Sequence, residues 1–366
     1  MLPPLTVPSE RSDGTTEMLY WPLNNQRAEI RLIRLRGRLS DDDERLLCTL
    51  ETRSLRDRFR YEALSYAWGD EEPSVPLLLG THCIFITPNL REALRCKRYL
   101  FRDVLLWIDA MCIDQANLHE RNNQVSLMRT IYERADAVTV WLGPAMEGCE
   151  STFECITSCG EANSLDPLLK SDTVDISVSM RIRTLMHILQ ASWWQRVWIL
   201  QEAYWANRAL TFCGTHFTSL HDLLQVNYLF MTLWQETAVT ELRSSIGREM
   251  TEALGQVIFK WPRVLCALFR ERDADGRVPT TRILALASEC LASDPRDKIY
   301  GTLGLWPHAI LQPDYALSTA EVYANAAHAV MLNSESFAIW TQCQLHEDLE
   351  VPSWAVDWRF PPKSFE

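Results

Sequence analysis

Along this chain the apolar positions follow two periods, and each change of period marks a change of element. Residues 104–108 form an almost wholly apolar run. It is too short for a helix and rich in branched side chains, as a strand buried on both faces requires. A polar break follows at 109–115, and apolar residues then return at helical spacing. Val125, Met128, Ile131, Tyr132 and Ala135 share one face, while Glu120, Arg121, Asn122, Arg129 and Arg134 lie mostly off it. Residues 137–142 read as a second buried strand, stopped by Gly143 and Pro144. The pattern predicts a βαβ unit. Its strands, at 104–108 and 138–142, are expected to be parallel neighbours, joined by the 120–135 helix through a right-handed crossover.

The flanking patterns extend this picture. Ile30, Leu32 and Leu35 alternate with Arg31, Arg34 and Arg36, which suits an edge strand, and 62–68 reads as a strand ending at Trp68, Gly69 and Asp70. Residues 76–79 and 83–86, separated by Gly80, Thr81 and His82, predict a β-hairpin. Thr87 and Pro88 are a cap and a first-turn proline for a helix running to Leu100. Residues 148–179 are polar and irregular and read as a surface loop. Helical spacing resumes at 180–190, 220–233, 251–269, 281–291 and 319–331, with a second hairpin at 210–213 and 216–218. The expected fold is α/β: a small, mostly parallel sheet flanked by helices, with a largely helical C-terminal half. The expected organisation is a proline-bearing mobile leader over 1–16, a domain over 17–215, and a helical extension over 216–366 packed on it.

Composition narrows the function classes. The chain has 366 residues, 47% of them hydrophobic, enough to bury a sizeable core. Its 36 Lys and Arg against 48 Asp and Glu leave a net charge of −12. That balance argues against a general nucleic-acid or anionic-membrane binder, while leaving room for a local nucleotide pocket. The eleven cysteines contain no C-x-x-C pair and read as reduced thiols, so the cytoplasm is the expected compartment. Cys149, Cys155 and Cys159 cluster loosely, but partners at metal-ligand spacing are missing, so no metal is expected. No run is long enough to cross a bilayer, and no signal-peptide pattern opens the chain.

Topology points to a site before any motif does. In an open parallel sheet, ligands gather beyond the carboxyl ends of the strands, where Asp109 sits. For Asp109 a functional role and structural hydrogen bonding weigh equally. Asp114 or Asn117 reads as a cap for the following helix, with Arg121 paired to a nearby acid. Residues 193–202 place Arg196 and Glu202 among tryptophans, where charged groups are uncommon unless paired or functional. A carboxylate there can have a perturbed pKa. The rival reading is a buried ion pair of Arg196 with Asp109 or Glu202. Tyr66 and Trp68 can stack on a ring or simply close the core. Cys112 with His119 suggests a thiol nucleophile less well than an apolar filler. No Gly-rich phosphate loop and no G-x-S-x-G elbow occur.

Several of these segments also resemble a known family. Tyr61-Glu-Ala-Leu-Ser-Tyr-Ala-Trp-Gly69, Leu106-Trp-Ile-Asp-Ala-Met-Cys-Ile-Asp-Gln115, Glu120-Arg121 with Gln124-Val125, and Trp194-Gln-Arg-Val-Trp-Ile-Leu-Gln-Glu202 resemble the blocks of the fungal heterokaryon-incompatibility (HET) domain. Its core blocks would then span 61–203. Asp294-Pro-Arg-Asp-Lys-Ile-Tyr300 and Pro352-Ser-Trp-Ala-Val-Asp-Trp358 resemble segments that commonly follow it. The resemblance implies a role in non-self recognition and in the programmed cell death, akin to innate immunity, that follows fusion of unlike fungal cells. It also implies a Toll–interleukin-receptor (TIR)-like fold, some relatives of which cleave NAD with a glutamate. Carried over, Glu202 and Asp109 are the catalytic candidates. Tyr66, Trp68, Gln115, Arg121, Arg196 and Gln201 are the substrate-binding candidates. NAD would be a substrate, and no cofactor or metal is needed. A protein partner or self-association is expected. The alternative is a non-enzymatic signalling or scaffold domain that binds a protein or a nucleotide.

Overall fold

The computed structural model describes residues 19–40, 45–69, 71–170, 177–234, 238–272, 276–307, 311–333 and 351–361. The leader expected at 1–16, Asp70 and the end of the 148–179 loop lie outside them. The strands are β1 (Glu29–Leu35), β2 (Leu47–Ser54), β3 (Glu62–Tyr66), β4 (Val75–Leu79), β5 (His82–Ile86), β6 (Val104–Trp107), β7 (Ala137–Trp141), β8 (Ala209–Cys213) and β9 (His216–Ser219). They form one nine-stranded sheet in the order β5-β4-β2-β1-β6-β3-β7-β8-β9. Four ladders are parallel (β2/β4, β6/β3, β3/β7, β7/β8) and four antiparallel (β4/β5, β2/β1, β1/β6, β8/β9).

The α/β class holds, but the sheet is neither small nor mostly parallel. Two expectations of position also change. Strands β6 and β7 run parallel in one sheet, but β3 lies between them, pairing Ala63 with Trp107 on one side and with Val138 on the other. The apolar runs show that both strands are buried; they carry no information about a third strand arriving from earlier in the chain. Likewise β1 is central, between β2 and β6, and not an edge. Its arginines misled the reading, because Arg31 is buried against Glu120 and Arg34 is paired with Glu51.

The helices that frame the site are α1 (Pro88–Lys97), α2 (Asp109–Cys112), α3 (Leu118–Arg134), α4 (Cys149–Ala162), α5 (Asp166–Leu169), α6 (Val178–Gln190) and α7 (Ile199–Tyr204). As expected, Thr87 caps α1, its hydroxyl accepting from the Leu90 amide at 3.2 Å, with Pro88 in the first turn. Asn117 caps α3, and that helix buries Val125, Met128, Ile131 and Tyr132. Trp107 of β6 meets Tyr132 of α3 edge-to-face, with ring centroids 5.5 Å apart, which fixes the helix on the sheet. The stretch expected as a loop over 148–179 holds α4 and α5. Its polar look conceals a buried face of Phe153, Cys155, Ile156 and Cys159.

Beyond β9 the described chain is helical: Leu220–Leu233, Ala238–Ile246, Arg248–Ile258, Trp261–Arg270, Thr280–Glu289, Asp297–Tyr300 and Thr319–Asn333. The single helix expected at 251–269 is two, because Pro262 has no amide to continue the ladder and starts a new helix. This region is tied to the sheet domain through residues 195–198. Val197 donates its amide to the Leu291 carbonyl at 3.0 Å, and the Trp198 indole donates to Asp297 at 3.3 Å. Among the described residues no helix is long and apolar enough to cross a membrane.

Candidate functional site

The carboxyl ends of β3 and β6 converge on the turn that opens α7. Strand β3 is buried along most of its length, and Ser65 is the one hydroxyl in its interior. Strand β6 ends at Trp107, and Asp109 starts the short α2 just past it. Helix α7 brings Glu202 back to this point, within the buried run Ile199 to Ala203. The link that no single segment reveals is Arg196. Its guanidinium lies 3.5 Å from Glu202 Oε2 and 3.9 Å from Asp109 Oδ2.

Each carboxylate is held differently. Glu202 is 1% exposed and accepts a very short hydrogen bond from the Ser65 hydroxyl. Ser65 in turn accepts from the Trp193 indole at 2.6 Å, and the Tyr132 hydroxyl also reaches Glu202. Asp109 accepts the Trp68 indole N–H at 3.0–3.1 Å and the Ala110 amide at 2.7 Å, while the Gln115 amide nitrogen donates to its main-chain carbonyl at 3.1 Å. The side chains of Asp109 and Arg196 are 15% and 18% exposed, so this edge of the cluster reaches solvent.

Burial sets the electrostatics. Desolvation pushes the Glu202 carboxyl above its ordinary range, with Arg196 and the Ser65 hydrogen bond opposing the shift. Asp109 is raised for the same reason, opposed by Arg196, Trp68 and the Ala110 amide. Burial would lower Arg196, but the two carboxylates outweigh it and hold the guanidinium charged. Tyr66, 2% exposed at the end of β3, is pushed well up by burial and by Asp109 and stays a neutral phenol. Burial thus draws both acids beside this one cation toward their neutral forms.

Of the residues singled out by sequence, Glu202, Asp109, Arg196, Tyr66, Trp68 and Gln115 meet here. Arg121 and Gln201 do not. Arg121 stacks on the Tyr315 ring at 3.5 Å and lies 4.0 Å from Asp294, joining α3 to the C-terminal region. Gln201 is buried, with its amide nitrogen 4.0 Å from Met128 Sδ and its oxygen closing on Gly304. Sequence reasoning missed the parts played by Ser65, Tyr132 and Trp193. A hydroxyl inside an otherwise apolar strand was the signal for Ser65; nothing local marked the other two. Cys112 is buried beneath α2 with its thiol pushed up to about 12 by burial, which fits a filler and not a nucleophile. Among the described residues, no group of His, Cys, Asp and Glu is arranged to hold a metal ion.

Residues 61–202 match the family described as Heterokaryon incompatibility protein (HET), the same span that carries Ser65, Asp109, Arg196 and Glu202. The match covers less than half of the chain. It is 25% identical to heterokaryon incompatibility protein 6, OR allele, of Neurospora crassa, over 92% of this chain and 58% of that protein. It thus spans somewhat more than half the length of that relative. No solved structure matches the chain.

Proposed function

We propose that this protein acts in fungal heterokaryon incompatibility and that the Glu202–Arg196–Asp109 cluster is its working centre. The HET domain and the named relative support the role. The observation that carries the site reading is Arg196 itself. A guanidinium offers five donors, and a structural ion pair normally spends them on bidentate contacts. Arg196 stands between two carboxylates, yet among the described residues its guanidinium donates no hydrogen bond within ordinary geometry, and it reaches solvent. Donors left unspent at the mouth of a polar cluster are suited to an anionic or polar ligand. We place the protein in the cytoplasm, with a protein partner or a second copy as its trigger.

The chemistry we assign to the cluster is cleavage of a ribose–nicotinamide bond, with NAD as the candidate substrate. As that bond breaks, positive charge develops on the ribose. Glu202 is the carboxylate placed to stabilise it, with Arg196 and Asp109 orienting the substrate from the solvent side. Nicotinamide leaves with the bonding electron pair, and water completes the hydrolysis. Tyr66 and Trp68 wall the same side.

One observation favours the non-enzymatic alternative: Glu202 is 1% exposed, so substrate reaches it only if the groups covering it move. The test is to incubate the purified chain with NAD and measure nicotinamide, with Glu202→Gln in parallel and killing scored in a fungal host. Nicotinamide release and killing lost together in a folded Glu202→Gln protein support the reading. A folded variant that still kills removes Glu202 from catalysis. Killing without nicotinamide release points to the signalling alternative.

A further inference from the structure

We propose that Cys149 and Cys213 are a redox-modification site, a paired dithiol that closes to a disulfide under a peroxide. The two residues are far apart in sequence. Cys213 is the last residue of β8, and Cys149 is the first of α4. The structure sets their sulfurs 3.6 Å apart, within reach of bond formation after a small side-chain movement.

The surroundings give the two thiols different roles. Cys149 Sγ accepts the Met146 amide at 3.3 Å and donates its S–H to Cys213 Sγ at 3.6 Å, and it lies at the start of a 14-residue helix, where negative charge is favoured. Cys213 also lies 3.2 Å from the Pro144 carbonyl, which stabilises a protonated thiol and not a thiolate. In keeping with this, the hydrogen bond shared with Cys213, helped by the Met146 amide, draws the Cys149 thiol down to about 7, while Cys213 is driven up. Cys149 is therefore the attacking sulfur and Cys213 the resolving one.

Both sulfurs are buried beside the loop from Gly143 to Gly148, whose Pro144, Ala145 and Glu147 are exposed. Local opening of this loop would admit a molecule as small as hydrogen peroxide. The Cys149 thiolate attacks one peroxide oxygen, the O–O bond breaks, and hydroxide leaves to give a sulfenic acid. The Cys213 sulfur then attacks that sulfur, an S–S bond forms, and the sulfenic oxygen departs as water with the thiol proton. The two thiols lose two electrons in all, and the peroxide is reduced to water.

No other described cysteine pair has sulfurs placed within contact, and the described cysteines are all free. The test treats the full-length protein with stoichiometric hydrogen peroxide, blocks remaining thiols under denaturing conditions, and maps peptides by mass spectrometry. The expected product is a Cys149–Cys213 cross-linked peptide, lost on adding a reductant and absent from Cys149→Ser. In Cys213→Ser, whose resolving sulfur is gone, Cys149 should instead accumulate as a dimedone-reactive sulfenic acid. Because the wild-type map decides alone, misfolding of either variant leaves the test intact. Cross-linking of other cysteines, or oxidation of Cys149 to higher acids without the cross-link, would overturn the proposal.

Discussion

Two arginines that face carboxylates in this molecule make opposite use of their charge. Arg31 is tightly engaged. One of its terminal nitrogens donates to Glu120 Oε1 at 2.5 Å and to the Cys112 carbonyl at 3.1 Å. The other donates to Glu120 Oε2 at 2.9 Å and to the Trp21 carbonyl at 2.6 Å. Arg196 has two carboxylates within 4 Å and bonds neither in bidentate fashion. The first arrangement is what a fold builds to hold itself together: one acid, one base, both terminal nitrogens fully engaged. The second leaves binding capacity at the end of the sheet. Both arginines face carboxylates beside the same sheet, so charge alone does not separate a brace from a site; the donor accounting does.

The comparison breaks most visibly at Glu120. Glu120→Gln leaves Arg31 buried with no carboxylate among the described residues, and it should destabilise by about 3–5 kcal/mol in urea or thermal unfolding. A loss under about 1 kcal/mol would show that the Arg31 pair is no more structural than the Arg196 cluster.

The next effect depends on pH. Asp297, buried beside Tyr315 and Trp198, has its carboxyl raised to about 6, chiefly by burial. A carboxyl whose folded pKa is raised contributes stability that is fully present below the unfolded value, near 4, and is lost as pH rises through 6. Relative to Asp297→Asn, wild type should therefore gain about 2 kcal/mol on going from pH 7.5 to pH 4. Parallel unfolding series of the two proteins across this range check it, and a difference that stays flat with pH refutes it.

Trp68→Phe sharpens the site side of the comparison. It removes the indole donor to both Asp109 oxygens and keeps most of the ring, so about 1 kcal/mol of stability should go. Because that edge faces solvent, ligand binding should weaken more than the fold does; equal losses in both would make Trp68 a core residue only.

The smallest change in stability is expected at Glu202→Gln. Asp109 still faces Arg196, Gln can still accept from Ser65, and burial already draws Glu202 toward its neutral form. The variant should stay within about 1 kcal/mol of wild type near pH 7. A collapse as deep as that of Glu120→Gln would make the Arg196 cluster a second brace.

Much of the local structure was legible because it follows from local physics. The caps at Thr87 and Asn117, the β4–β5 hairpin and the buried face of α3 are written in adjacent residues. Where the reading failed, local physics was silent or pointed elsewhere. The serines, threonines and glutamates of 149–162 look like a loop until Phe153, Ile156 and Cys159 are seen to share one face of a helix. Arginines on β1 look solvated until a partner on α3 is found for Arg31. For the site, sequence picked out Asp109, Arg196 and Glu202 as charged residues in apolar settings. It could not separate Arg121 and Gln201 from them, because adjacency in a motif says nothing about which way a side chain faces after folding.

The sequence by itself determined which segments are strands and helices in most of the sheet domain, that the domain is α/β, and that Asp109, Arg196 and Glu202 are charged groups in apolar settings. Those properties depend on periodicity, turn chemistry and the cost of burying charge, all of which act over a few residues. Tertiary structure alone decided that β3 parts β6 from β7, that Arg196 rather than a helix cap stands between Asp109 and Glu202, and that Cys149 meets Cys213. Each of these joins residues that are distant along the chain. Such pairings are set by how a nine-stranded sheet closes around its core, and no window of sequence contains that information.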